Sequence, residues 1–444
     1  MRKLNGQWAF AIWDTASGRC FLSRDRLGVR PLVLHTECGD RLAFASEIKA
    51  LFAHPRSRAK IDPLGIDNVF TFWTTLRAAN DRSKAIYELP PGHSLTWRDG
   101  RTTVARHWRP TFAPASATTR PTARIASSAA RSCSTSAIRI CDCGPTCRSA
   151  RIVSGGLDSV GDRRACTRAS NLTRPCARSR SPSAMPEFDE QQPPAAGRRA
   201  RSAPITARCA ARTTTSARVM PDVVWHAETP LAANVAGADV ACSRQCGRAG
   251  RLQGRPHRRR RRTKCFGGYD IFKGSEASPL LRRSVRDSRA ACVAGASGST
   301  RTCRRCSGQP AGRCSAFFDH ARGDTRRSRS SRTLPRWRVT SRLKMLLSGG
   351  DACRRLAAYD GARSRFAAQL PPEFGGVGHP FCAEPVLEMS QLLPGYILSS
   401  QGDRVAMAHG VEAGSVLSIQ RSSSSRLDAA ADAEDEGAAA RNIC

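Results

Sequence analysis

The chain has 444 residues, enough for two or three domains, yet only 6% are aromatic and the formal net charge is +36. Of its 72 basic residues only seven are lysine and 65 are arginine. A nucleic-acid surface usually mixes the two, since both neutralise phosphate, so charge alone does not establish such a surface.

No segment approaches the ~20 consecutive apolar residues of a membrane span. The apolar run Trp8 to Trp13 behind Arg2 and Lys3 is too short for a secretory signal and ends at Asp14. No membrane association is expected, and the location expected is cytoplasmic. The 19 cysteines have no regular spacing. Cys141, Cys143 and Cys147, and Cys303 with Cys306, find no matching pair to complete a four-ligand zinc set.

In chain order, Gln7 to Asp14 is an apolar run rich in aromatics that predicts a buried strand. Arg19 to Ser23 predicts a second strand, and Arg24-Asp25-Arg26-Leu27-Gly28 a turn. Leu32 to Leu34 predicts a third strand. Arg41 to Ser46 predicts a strand leading into a helix from Glu47 to Ala53, which stops before Pro55. Pro90-Pro91-Gly92-His93 predicts a tight turn ahead of a strand from Ser94 to Trp97. Residues 1–110 thus read as a small layered α+β unit.

From about residue 111 the character changes. Long stretches of Arg, Ala, Ser, Pro, Thr and Cys show neither the strand nor the helix period, and composition alone makes them irregular. Ordered-looking islands interrupt them at Ser154–Ser159, Glu187–Glu190, Met220–Leu231, Phe266–Lys273, Arg336–Leu347 and Leu387–Ala413. The spacing from Leu387 to Leu398 predicts a helix with one apolar face. Residues after Gly414 return to low complexity.

These pieces resemble one family. Leu4-Asn5-Gly6-Gln7-Trp8-Ala9-Phe10-Ala11-Ile12-Trp13-Asp14, then Ser23-Arg24-Asp25-Arg26-Leu27-Gly28-Val29-Arg30-Pro31-Leu32, resemble the second half of the glutaminase domain of glutamine-hydrolysing asparagine synthetases and related amidotransferases. Phe44-Ala45-Ser46-Glu47-Ile48-Lys49-Ala50-Leu51 and Leu89-Pro90-Pro91-Gly92-His93 continue the match in order. Downstream, Ser154-Gly155-Gly156-Leu157-Asp158-Ser159 resembles the pyrophosphate loop of the synthetase half. Phe188-Asp189-Glu190, Val224-Trp225-His226-Ala227-Glu228-Thr229-Pro230, Phe266-Gly267-Gly268-Tyr269-Asp270, and Leu398 to Arg404 running on to Val411-Glu412-Ala413 follow in family order.

The resemblance implies an α/β chain. It comprises the C-terminal half of a four-layer (αββα) glutaminase of the N-terminal-nucleophile type at 1–110, a linker at 111–145, and an ATP-pyrophosphatase, Rossmann-like synthetase domain at 146–420. A low-complexity tail follows at 421–444. It implies a ligase that releases ammonia from glutamine and uses ATP and Mg2+ to activate aspartate as a β-aspartyl adenylate, yielding asparagine, AMP, pyrophosphate and glutamate. Ser154, Gly155, Gly156, Leu157, Asp158 and Ser159 are the expected ATP-binding residues. Small residues let backbone N–H groups approach phosphate, and hydroxyls add donors. Asp158 is the candidate metal ligand. His226, Glu228, Asp403 and Arg404 are the candidates for the substrate pocket, although a surface turn also accounts for the first two. A homodimer is open.

The family's nucleophile is a cysteine at the first position after the initiator methionine. Here Arg2 follows Met1, so the nucleophile is expected upstream of residue 1 and no catalytic residue is assigned. Cys20, the first cysteine, reads as a small strand residue.

The segments between the islands read as the same gene in another frame. Reading Arg255-Pro256-His257-Arg258-Arg259-Arg260-Arg261-Arg262 as suitable codons and shifting by one base gives Val-Leu-Thr-Gly-Glu-Gly-Ala, the family segment expected before Phe266. Shifting Cys143 to Ile152 by two bases gives Arg-Ser-Asp-Val-Pro-Val-Gly-Ala-Tyr, the strand expected before the loop. The arginine excess then records nucleotide composition, and the activity of the chain is in question. Three alternatives stand beside this reading. They are an amidotransferase of the same family with another acceptor, a basic nucleic-acid-binding protein using Arg258–Arg262, and a decayed gene product without function.

Overall fold

The hairpin that opens the fold follows from its turn chemistry. Asp14 accepts hydrogen bonds from the backbone N–H groups of Ala16 (3.1 Å) and Ser17 (3.4 Å), and Gly18 adopts φ +59°. This side-chain turn reverses the chain between β1 (Ala9–Asp14) and β2 (Arg19–Arg24), which pair antiparallel with Trp13 opposite Cys20 and Ala11 opposite Leu22. In this computed structural model the described residues are 1–109, apart from 2, 5, 36–40, 56, 58–61 and 75–85, together with 150–152, 177–180, 207–208, 213–229, 337 and 387–410.

Two antiparallel sheets make the N-terminal unit. The first has strand order β1-β2-β6-β7, where β6 is His93–Arg98 and β7 is Arg101–Arg106. The two-residue turn between β6 and β7 is Asp99-Gly100, both with positive φ (+48° and +73°), the mirror-type turn that matches strand twist. The second sheet has order β4-β3-β5, with β3 (Val33–His35) between β4 (Ala43–Ala45) and β5 (Ile86–Glu88). Period-2 alternation turns Cys20, Leu22 and Leu95 inward to meet Leu32, Leu34, Tyr87 and Leu89 in one buried cluster. Two short helices follow β4: α1 (Ile48–Leu51) and α2 (Pro63–Phe72).

The reading of 1–110 matches this unit with one correction and three omissions: β1, expected to be buried, is an edge strand with Ile12 and Trp13 each 55% exposed. Strands β5 and β7 and helix α2 were not foreseen; β5 has three residues, too few to show a period. Downstream, strands β8 (Ala150–Ile152), β9 (Ala177–Arg180) and β10 (Ala207–Arg208) form a parallel sheet in the order β10-β9-β8. All three lie in segments whose composition predicts irregular chain. Backbone pairing is blind to composition, and the connections 153–176 and 181–206 are long enough for the crossovers that parallel strands require.

Helix α3 (Thr213–Ala227) begins before the island at Met220 and contains Pro221. At the C-terminal end, residues 387–390 are α-helical, Leu392–Arg404 is wound as a π-helix, and Val405–Met407 completes an α-helical turn. The predicted helix is therefore present, but without the 3.6-residue ladder and with burial on all sides. Pro394 lacks an N–H and Gly395 lacks a Cβ. Both loosen the ladder near its start, and a Cβ on Gly395 would stand 2.0 Å from the Thr74 hydroxyl. Leu392, Leu393, Tyr396, Ile397, Leu398 and Val405 pack with Val223 and Ala227 of α3 and with Leu27 and Val29 of the loop after β2. That second core fastens the C-terminal helix to the two-sheet unit.

Candidate functional site

The loop after β2 is built around two buried charges that are neighbours in sequence. Asp25 accepts N–H bonds from Leu27 (3.1 Å), Val29 (3.0 Å) and Arg30 (3.0 Å), which folds the chain into a tight loop about its carboxylate. Burial pushes the Asp25 carboxyl above the ordinary carboxylate value, outweighing those three N–H bonds and the charge of Arg24. Gly28 is required here. Its φ is +62°, and a Cβ would stand 2.8 Å from Pro91 Cγ.

Arg24, 1% exposed, points the other way. Its guanidinium donates to the carbonyls of Arg30 (2.8 Å), Leu89 (2.7 Å) and Gly28 (3.1 Å) and to Glu88 Oε2 (3.0 Å). The other Glu88 oxygen takes Arg404 Nη2 from the C-terminal helix at 2.6 Å. Burial raises the Glu88 carboxyl, but Arg24 and Arg404 beside it outweigh burial and hold it below its ordinary value. One carboxylate between two guanidiniums gives both cations a counter-charge.

Arg404 continues the chain of charges. Its Nη1 donates to the Ala227 carbonyl at the end of α3 (3.1 Å) and lies 3.5 Å from Glu228 Oε2. Glu228 sits at φ +53°, a left-handed conformation that costs a non-glycine residue about 1–2 kcal/mol. In return its carboxylate accepts the backbone N–H groups of Ile48 (2.7 Å) and Lys49 (2.9 Å), and Lys49 Nζ stands 3.6 Å away. In parallel, Arg30 pairs with Asp403. Ser400 bonds the Ala227 carbonyl and the Thr229 hydroxyl, each at 3.0 Å. The result is a buried ionic seam between the two-sheet unit, the end of α3 and the C-terminal helix.

Three of the four substrate-pocket candidates meet in this seam: Glu228, Asp403 and Arg404. Their charged atoms face protein partners. His226 lies on the last turn of α3, with its ring 6.0 Å from that of His409 at 61°. The ATP-loop candidates Ser154, Gly155, Gly156, Leu157, Asp158 and Ser159 lie outside the described residues, as do Arg258–Arg262, Phe266–Asp270 and Glu412. Strand β8 ends just before that loop. Cys20 is buried in the inter-sheet core and burial raises its thiol, the opposite of an activated nucleophile. Among the described residues no group of three or more His, Cys, Asp or Glu could hold a metal, and no helix is long and apolar enough to cross a membrane.

Arg24, Asp25, Arg30 and Glu88 were not singled out as site residues from sequence. Arg24 and Asp25 read there as turn residues. The one available signal was two adjacent opposite charges inside an apolar stretch.

Comparison with known proteins bears on the N-terminal unit. A glutamine amidotransferase domain model matches residues 1–108. Asparagine synthetase [glutamine-hydrolyzing] 3 of Bacillus subtilis is 38% identical over 105 residues, which are 24% of this chain and 17% of that protein. Asparagine synthetase [glutamine-hydrolyzing] 2 of the same organism is 35% identical over 96 residues, 20% of this chain and 12% of that one. A putative asparagine synthetase [glutamine-hydrolyzing] 2 of Methanocaldococcus jannaschii is 43% identical over 53 residues, 12% of this chain and 10% of that one. The matched stretch thus spans less than a fifth of each of these relatives.

Proposed function

Residues 1–108 are a glutamine amidotransferase domain, and from that premise we propose that the chain descends from an ATP-dependent ligase that takes amide nitrogen from glutamine and places it on aspartate. The observation that carries this is the docking of Glu228, Asp403 and Arg404 onto that domain, through Ile48 and Lys49, Arg30 and Glu88 respectively. These segments resemble, in family order, parts of a synthetase half.

In the proposed reaction the aspartate β-carboxylate attacks the α-phosphorus of ATP and pyrophosphate leaves. Ammonia from glutamine then attacks the activated carbonyl carbon and AMP leaves. Ser154, Gly155, Gly156, Leu157 and Ser159 would cradle the pyrophosphate. They follow a strand of a parallel sheet, and the carboxyl ends of parallel strands are where α/β domains bind phosphates. Asp158 would hold Mg2+, which neutralises phosphate charge. A carboxylate beside hydroxyls suits a hard cation. In this reading Glu228, Asp403 and Arg404 hold the halves together instead of contacting substrate.

Arg258–Arg262 puts five cations where the family has an acidic Gly-Glu-Gly-Ala segment. We therefore assign the intervening segments to a shifted reading frame, which leaves the chain inactive as written. The test is to resequence the coding DNA together with the DNA upstream of it and follow transfer of 15N from glutamine amide to acceptor, for the chain and for a frame-corrected protein that begins at an amino-terminal cysteine. The expected result is single-base corrections that restore Thr-Gly-Glu-Gly-Ala and 15N-asparagine from the corrected protein alone. A frame that stands unaltered makes the chain a decayed gene product and withdraws the catalytic assignments. 15N on an acceptor other than aspartate overturns the substrate assignment and leaves the amidotransferase chemistry in place.

A further inference from the structure

Helix α1 has only four residues, and its own N-cap fails to cap it. Glu47 occupies that position with extended backbone and makes no side-chain cap hydrogen bond. The first N–H groups of any helix lack partners within the helix, and a start without a cap is unstable. Here the N–H groups of Ile48 and Lys49 are taken by Glu228, 180 and 179 residues away in sequence.

Glu228 is held in that position from two sides. Its backbone ends α3 in the left-handed region, its N–H bonded to the Val224 carbonyl at 2.9 Å. Its Oε2 lies beside Arg404, whose guanidinium is anchored on Glu88 and on the Ala227 carbonyl. Position after position, the geometry aims one carboxylate at one helix start. A glutamate adopts positive φ only where the surroundings fix it.

We propose that Glu228, locked by Arg404, is the N-terminal cap of α1 supplied from a distant segment, so that α1 forms only while the C-terminal helix is docked. The amidotransferase domain thereby carries an element whose folding reports on the presence of the other half. This rests on the reading that the docked segments are a synthetase half. In a two-reaction protein such a cap ties the conformation of the nitrogen-donating domain to the assembly of the accepting one. Lys49 strengthens the link, since its ammonium lies near Glu228 and over the Trp225 ring, 5.6 Å from the centroid.

The test is hydrogen exchange on the full chain, resolved to single amides, with no substrate present. Glu228→Ala is expected to speed exchange of the Ile48 and Lys49 amides roughly 5- to 30-fold, the size of a lost helix cap. The β3 amides, Val33 to His35, serve as the reference and should not change. Arg404→Met touches neither amide, yet is expected to raise exchange at both, with Arg404→Lys restoring part of the protection. If Glu228→Ala also exposes β3, Glu228→Asp decides: it keeps the charge for Arg404 but shortens the reach. Protected β3 with exposed Ile48 and Lys49 in that variant supports the cap. Unchanged protection at Ile48 and Lys49 in the Glu228 variants overturns it, and unchanged protection in Arg404→Met removes Arg404 from it. Absence of glutamine or ATP chemistry would sink the proposed function without altering these readings.

Discussion

Replacing Glu88 by Gln removes the charge on which two guanidiniums converge while keeping the side chain's volume. Arg24 keeps three carbonyl acceptors, and Arg404 keeps the Ala227 carbonyl and Glu228, so neither cation is stripped of hydrogen bonds. Breaking a fully buried ion pair costs about 3–5 kcal/mol. The Glu88 side chain is 25% exposed and its Arg partners retain acceptors, which brings the expected loss to about 2–3 kcal/mol. Denaturant unfolding of the full chain, followed by tryptophan fluorescence, reads this directly. Trp73 and Trp108 pack on the core beneath the seam. A lower midpoint at unchanged slope is expected. In a double-mutant cycle with Arg404→Met, the two losses should fall short of adding by about 1–3 kcal/mol. A loss under about 0.5 kcal/mol for Glu88→Gln, or strict additivity with Arg404→Met, would refute the seam as a coupled unit.

The remaining expectations are narrower. Because Arg24 and Arg404 hold the Glu88 carboxyl below its ordinary value of 4.5, its contribution is complete above that pH. It is lost as pH falls through the depressed folded value, because the unfolded chain then binds more protons. The acid limb of a stability-against-pH curve should therefore flatten in Glu88→Gln. Asp25 works in the opposite sense. Burial raises its folded value, so this carboxyl alone favours the fold as pH falls. Asp25→Asn should still destabilise by about 2–3 kcal/mol at neutral pH, measured by denaturant midpoint, because an amide cannot accept from Leu27, Val29 and Arg30 together. Gly28→Ala adds left-handed strain to the collision with Pro91 and should cost about 2–4 kcal/mol, read as a fall in melting temperature. Cys20 should resist alkylation in the native chain and react fully in denaturant, as judged by mass mapping of its peptide; ready native modification would contradict its burial.

What could be read from sequence was what sequence-local physics decides. The runs Ala9–Asp14 and Arg19–Arg24 carry aromatic and aliphatic residues on either side of an Asp14 turn, so both strands are legible. Two further local signals stand in the sequence: Asp99-Gly100 is a strong hairpin turn between β6 and β7, and Asp62-Pro63 is a helix-start pair at the head of α2. The seam is a different matter. Arg24 meets Glu88 across 64 residues, Glu228 meets Ile48 across 180, Arg404 meets Glu88 across 316 and Arg30 meets Asp403 across 373. No periodicity or composition reports such pairings, because burial of a charge is settled by what docks on it.

The second core joins three stretches that lie far apart in the sequence. Leu27 and Val29, Val223 and Ala227, and Leu392 through Val405 come from three separated stretches, yet they share one buried cluster flanked by paired charges. Apolar side chains from unrelated stretches can collapse together without specificity, since the hydrophobic effect is non-directional. Buried ions cannot, because each misplaced one costs several kcal/mol. Around this cluster Arg24, Arg30 and Arg404 each face a carboxylate of Glu88, Asp403 or Glu228, and Lys49 lies between Glu47 (3.0 Å) and Glu228 (3.6 Å). That matching couples the three stretches, which is why the Glu88 and Arg404 substitutions are its sharpest probes.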